Sequence, residues 1–129
     1  MTAEISFHNP TEGIYPADDF VHAVEVRNAS RTVYVSGTMG LKPDWTPGKD
    51  IHEQLELVWD NIRTILASAN MTTDNIIRLT SYMRDSAYAE ANGQARLKAL
   101  GGRKIPTTAI VAETLVDNWL IEIEVIAVE

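Results

Sequence analysis

The C-terminal end of the chain has the clearest alternation of apolar and polar positions. In the run Trp119–Val128, every second residue from Trp119 to Ala127 is apolar, which predicts a strand with one face in a core. The opposite face carries Glu122 and Glu124 among aliphatic side chains. A mixed face of this kind is typical of a strand that lines a pocket or a subunit contact, although two glutamates that simply point to water would give the same pattern.

The same reasoning assigns elements to the rest of the chain. Apolar residues at helical spacing predict helices over 50–69, with Asp50 as N-cap, and over 86–100. Residues 1–19 contain two prolines and a glycine and are predicted to be an irregular lead-in. Period-two runs rich in Val, Ile and Thr predict further strands, the first two joined as a hairpin, at Phe20–Val26, Thr32–Ser36, Ile76–Arg84 and Thr107–Glu113.

The element order β-β-α-β-α-β-β predicts one α+β domain over residues 1–129, with two layers and both helices on one face of a mixed sheet. The other face would be too apolar for solvent and too charged to be buried within one chain. We therefore expect the chain to associate with itself through this face. Its predicted members are Arg78, Tyr82, Glu122, Glu124, Ile126 and Val128.

Composition narrows the possible partners. The net charge of −7 disfavours binding to phosphate backbones, and the basic residues between Arg96 and Lys104 are expected to form a solvated surface. No apolar run is long enough to span a membrane, and the N-terminus has no secretion signal, so a cytoplasmic location is expected. Cysteine is absent and the three histidines are scattered, so we expect no metal site, and no nucleotide-binding motif occurs.

Glu122 is the strongest candidate for chemistry. A carboxylate among aliphatic side chains should have a raised pKa and could hold or activate a water molecule. Gly37 directly follows a predicted strand, where it marks either a close backbone approach by a ligand or another chain, or a bulge or turn. Asn92 lies inside a predicted helix, and its amide could bind either a neighbouring loop or a ligand.

Taken together, these segments resemble the Rid family, which has also been labelled endoribonuclease L-PSP. The resemblance runs from about residue 20 to residue 128. Its most specific parts are the Ser-Gly pair after the second strand and the closing IEIEVIAV. The matching residues are Phe20–Val24, Val33–Gly37, Gln54, Asn61, Asp74–Ile77, Asn92, Pro106–Thr108 and Ile121–Val128.

The resemblance implies a chorismate-mutase-like fold and a homotrimer with pockets between subunits. It also implies hydrolysis of reactive enamines and imines to keto acids and ammonia, without metal or cofactor. Glu122 matches the family glutamate that positions water, Gly37 matches the glycine that approaches the ligand, and Asn92 matches an asparagine near the pocket.

Several positions depart from the family pattern. Phe20 stands where the family has a pocket tyrosine, and Ala109 stands where it often has cysteine. Thr107, followed by Thr108, stands where the resemblance places an arginine that holds the substrate carboxylate. Loss of that charge-assisted pair would cost on the order of 2–5 kcal/mol in a buried site. The predicted site is therefore more neutral and roomier than that of the family, which disfavours small 2-imino acids as substrates.

Three functions are compatible with this picture. The first is hydrolysis of an enamine, imine or related labile metabolite with the help of Glu122. The second is non-catalytic binding of a small metabolite in the same clefts. The third, a nuclease, is disfavoured because a trimer would carry three times the net charge of −7 and the chain has no histidine pair.

Overall fold

A computed structural model describes residues 3–129 as a four-stranded sheet with two helices on one face, beside a separate two-stranded sheet. The two-layer α+β arrangement predicted from the sequence is confirmed. Short 3₁₀ turns precede β4 and α2, at Thr73–Asn75 and Ser86–Tyr88. The elements are β1 (Glu4–His8), β2 (Ala23–Arg27), β3 (Thr32–Met39), α1 (Ile51–Ser68), β4 (Ile76–Met83), α2 (Ala89–Ala99), β5 (Thr107–Val111) and β6 (Ile121–Val128).

The C-terminal strand β6 lies inside the four-stranded sheet, whose order is β3-β6-β4-β5. It runs antiparallel to both neighbours, and β5 runs parallel to β4 at the edge. Its alternating apolar residues are buried against the helices, as predicted: Ile121, Ile123, Val125 and Ala127. The helix α1 begins where expected, because the Asp50 side chain accepts a hydrogen bond from the backbone N–H of Glu53 at 2.9 Å.

The N-terminal third of the chain is organised differently from the prediction. Residues 4–8 are not irregular but form β1, which pairs antiparallel with β2, and β3 pairs with β6 instead of forming a hairpin with β2. Asn28 has the positive φ expected for a turn (59°), but this turn leads from one sheet to the other. The pairing of β1 with β2 is supported by a contact of 2.8 Å between His8 and Glu25.

Two further predictions need correction in detail. Strict alternation back from Leu79 would put Ile77 in the core face of β4, but a register shift after Ile76 buries Ile76 there instead. Arg96 is not part of a solvated basic surface, because it is 4% exposed and donates hydrogen bonds to the backbone carbonyl and carboxylate of Asp19. Arg103 is half-buried and donates to the backbone carbonyls of Thr73 and Ile76.

Candidate functional site

The sheet has one face free of helices, which we call the open face. On it, Glu122 of β6 lies opposite Tyr82 of β4, and Glu124 lies opposite Thr80. The Tyr82 hydroxyl donates a hydrogen bond of 2.6 Å to the Glu124 carboxylate. The side chains of this face that bear on function are those of Arg78, Thr80, Tyr82, Thr108, Ile110, Glu122, Glu124 and Ile126.

Glu122 is a half-buried carboxylate with an unusual environment. Burial raises its pKa above the usual value, and the nearby negative charge of Glu124 raises it further. It takes part in none of the ion pairs found within residues 3–129. The sequence-based expectation of a raised pKa at this position therefore agrees with the structure.

Gly37 lies directly against Glu122. It is an inner residue of β3, at a register irregularity between Val35 and Thr38, so the strand continues through it. A Cβ atom at position 37 would overlap the Oε2 atom of Glu122. The irregularity agrees with the bulge that was considered for this glycine, and the group that lies against it is the Glu122 carboxylate of the same chain.

Replacing Gly37 with alanine should therefore displace the carboxylate without unfolding the protein, since the overlapping atom is the end of a flexible side chain. We expect any activity that depends on Glu122 to fall at least tenfold, with a change in melting temperature of only a few degrees. Gly93→Ala is the matched control, because Gly93 lies within α2 and a Cβ there meets nothing closer than 3.8 Å. This control should keep full activity and gain slightly in stability. Equal activity of both variants would contradict the role given to Gly37.

A cavity of about 540 Å³ lies where residues 20–24 meet β4 and β5. It brings together three of the predicted site residues, Phe20, Thr107 and Thr108. Neither Glu122 nor Gly37 lines it. Ile126 does, and it is four residues from Glu122 along β6, about 13 Å at the rise per residue of a strand. Within one chain, the candidate site thus has two separate parts. One is the pair of carboxylates of Glu122 and Glu124 on β6, and the other is the cavity beside β5.

The register of β5 separates the residues that were predicted to act together. Thr107 pairs with Leu79 and Ala109 pairs with Ser81, both on the helix-covered side of β4, whereas Thr108 pairs with Thr80 on the open face. The Thr107 hydroxyl also donates a hydrogen bond to the backbone carbonyl of Ile105 at 2.9 Å. Thr108 rather than Thr107 is therefore the position from which a side chain projects onto the open face. Ala109 is exposed and is not among the residues that line the cavity.

The structure also locates Asn92, whose partner the sequence left open, and His22. Asn92 lies in the helical layer, away from the open face, 3% exposed, and its side-chain oxygen has no hydrogen-bond partner within residues 3–129. Within one chain, Asn92 and Glu122 therefore do not belong to the same site. His22 lines the cavity, but its Nε2 atom is bound to the backbone carbonyl of Tyr15 at 2.9 Å.

Arg78 also lies in this region, although the sequence did not predict it as a site residue. Its Nη2 atom donates a hydrogen bond of 2.8 Å to the Thr108 hydroxyl, and its side chain lines the cavity. The available signal was the alternation of β4, which puts Arg78 on the same face as Tyr82. The pairing of β4 with β5, which brings it next to Thr108, is not visible in the sequence.

Between residues 3 and 129, no three His, Asp or Glu side chains are grouped so that they could hold a metal ion. Over the same residues, neither helix has the length and apolar character needed to cross a membrane.

Comparisons with known proteins agree on one family. The family model described as Endoribonuclease L-PSP matches residues 11–129. The mitochondrial protein MMF1 of Saccharomyces cerevisiae is 34% identical over 107 residues, which cover 81% of this chain and 73% of that protein. The solved structure of YyfB from Yersinia pestis, described as a Rid-family protein of unknown function, superposes with a TM-score of 0.82 at 27% identity and covers 97% of this chain and 98% of its own.

The crystal structure of yeast Mmf1 has the same fold, with a TM-score of 0.71 at 28% identity and coverage of 98% and 99% of the two chains. The family model spans nearly all of the described residues, and the similarity extends over both layers of the fold. The chain belongs to the Rid family, whose model is described as Endoribonuclease L-PSP.

Proposed function

We propose that this protein hydrolyses a small reactive enamine, imine or related metabolite, and that Glu122 positions and deprotonates the attacking water. The observation that supports this most is the environment of Glu122. Its carboxylate is half-buried without a cationic partner in the described chain, lies against a glycine, and has a raised pKa. A carboxylate with a raised pKa is a stronger base than a solvated one.

The chemistry can be written with this one protein group. The Glu122 carboxylate takes a proton from water as the water oxygen forms a bond to the C=N carbon, and the π electrons move to nitrogen. Glu122 gives the proton it took from water to this nitrogen, and a second proton from solvent turns the nitrogen into an ammonium group. Ammonia then leaves the tetrahedral intermediate as the new hydroxyl returns a proton to solvent and the carbonyl forms. One imine and one water give one ketone or keto acid and one ammonia, so the reaction needs no oxidant and no cofactor. An enamine enters the same route after protonation on carbon.

We further propose that the site is completed by self-association into a homotrimer through the open face. This face has apolar side chains in water, among them Ile110 on β5 and Tyr34 on β3, 44% and 77% exposed. Association would cover them, and it would allow the Glu122 group of one copy to approach the cavity of another. Size-exclusion chromatography with light scattering should give three times the mass of one chain; a monomer would contradict this arrangement.

The proposed activity is tested with imines that an amino-acid oxidase generates in the assay mixture. Two substrates are compared, 2-iminopropanoate and an imine with a bulkier apolar side chain, and the loss of imine is followed by trapping with semicarbazide. The wild-type protein should accelerate hydrolysis of at least one of them in proportion to its concentration. No acceleration of either imine would refute the proposed hydrolysis of imines.

A non-catalytic role in binding a small metabolite is the alternative. It is favoured by Thr107 and Thr108, since neither provides the guanidinium expected in the hydrolytic branch of the family. The net charge of −7 supports a small molecule rather than a nucleic acid as the partner under either proposal.

A further inference from the structure

The cavity beside β5 differs in charge from the rest of the protein. The chain has 18 acidic and 11 basic residues, yet no aspartate or glutamate lines this cavity. Its polar side chains are instead donors or hydroxyls, and its remaining walls are apolar. The residues that matter for a ligand are Phe20, Arg78, Pro106, Thr107, Thr108 and Ile126. A cavity with a cation and without a carboxylate, in an acidic protein, is suited to an anion.

Arg78 is bonded differently from every other arginine that the structure describes. Arg103 donates to backbone carbonyls. Five others contact carboxylates within 4.0 Å, namely Arg27, Arg31, Arg63, Arg84 and Arg96. Arg78 has one hydrogen bond, to the Thr108 hydroxyl at 2.8 Å, and takes part in none of the ion pairs among residues 3–129. A guanidinium has five N–H donors, so most of those on Arg78 remain available.

We propose that Arg78 and Thr108 form an anion subsite that binds the carboxylate of a small ligand. The planar guanidinium matches a carboxylate with two parallel hydrogen bonds. Because the Thr108 oxygen accepts from Arg78, its own O–H is free to donate to the same anion. Phe20, Pro106 and Ile126 would surround a short apolar side chain. If the proposed function is right, this anion is the substrate carboxylate, held from β4 although no arginine is present at positions 107 and 108.

The test uses binding, so that it does not depend on catalysis. Pyruvate, a small carboxylate, and pyruvamide, its neutral amide, are titrated into the wild-type protein and followed by NMR chemical shifts. Pyruvate should bind at least tenfold more tightly than pyruvamide. Arg78→Met should remove this preference, and Thr108→Val should weaken pyruvate binding by a smaller factor. Arg63→Met is the matched control, because it removes one exposed positive charge from α1 and should leave both affinities unchanged.

Arg78→Lys guards against misfolding of the methionine variant, since it keeps the charge and should recover part of the preference for pyruvate. Equal binding of pyruvate and pyruvamide by the wild type would overturn the subsite, as would equal losses in Arg78→Met and Arg63→Met. The result is separable from the proposed function. If Arg78→Met hydrolyses imines with an unaltered KM, the hydrolase proposal is supported and the anion subsite is refuted. Arg78-dependent binding of pyruvate without hydrolysis would leave a carboxylate-binding module.

Discussion

Glu122→Gln is expected to lower kcat/KM for imine hydrolysis by two orders of magnitude or more. The amide keeps the size and the hydrogen-bonding oxygen of the side chain but cannot take a proton from water, and general base catalysis typically contributes 10²- to 10⁴-fold. Stability should not fall. The folded state raises the pKa of Glu122, so it disfavours the ionised carboxylate relative to the unfolded chain, and a neutral amide removes this penalty. The measurement is the oxidase-coupled assay together with thermal unfolding at pH 7.

Glu124→Gln is the matched control, because it makes the same change two residues away on the same face of β6. Its amide oxygen can still accept the hydrogen bond of Tyr82, and activity should be largely kept. The charge of Glu124 contributes to the raised pKa of Glu122, so its removal should lower that pKa. Activity requires ionised Glu122, and the acidic limb of the pH–rate profile should therefore move to lower pH. A shift to higher pH, or equal inactivation of both variants, would contradict the assignment of the base.

The sequence predicted best those features that depend on one strand or helix alone. The alternation in Ile121–Val128 assigned four buried residues to one face and Glu122 to the other, and the Asp50 cap set the start of α1. Both are local properties, fixed by the period of the element or by the chemistry of its first turn. The mixed face of β6 also predicted a strand that lines a pocket or a subunit contact, with glutamates that simply point to water as the alternative.

Pairing between strands could not be predicted in the same way. Residues 4–8 alternate as a strand should, but the prolines and the glycine that follow made the whole lead-in look irregular. The arrangement of the candidate site residues depends on pairing as well. Thr107 and Thr108 are neighbours in sequence, yet only the register of β5 with β4 decides which one reaches the open face. The role of Arg78 depends on that register too, since its partner is 30 residues away.

Gln54 lies on the helix side of the sheet and holds the start of the strand that carries Glu122. It is 2% exposed, and its side chain joins two loops to the start of α1. The amide nitrogen donates to the backbone carbonyls of Gly48 and Asn118 at 3.0 and 2.8 Å, and the amide oxygen accepts from the backbone N–H of Leu120 at 2.9 Å. Leu120 comes directly before β6, so this contact fixes where the strand carrying Glu122 begins.

Gln54→Met should therefore lower the free energy of unfolding by about 3–5 kcal/mol. The variant has nearly the same volume but leaves two carbonyls and one N–H without their partner, and each such buried group costs about 1–3 kcal/mol. Gln94→Met is the control: Gln94 is exposed on α2, and the change should stay within about 0.5 kcal/mol. Urea denaturation of both variants measures the difference. Because Leu120 would lose its anchor, the folded fraction of Gln54→Met should also hydrolyse imines more slowly. Normal stability of this variant would mean that water replaces all three hydrogen bonds, and that β6 is positioned by its pairing with β3 and β4 alone.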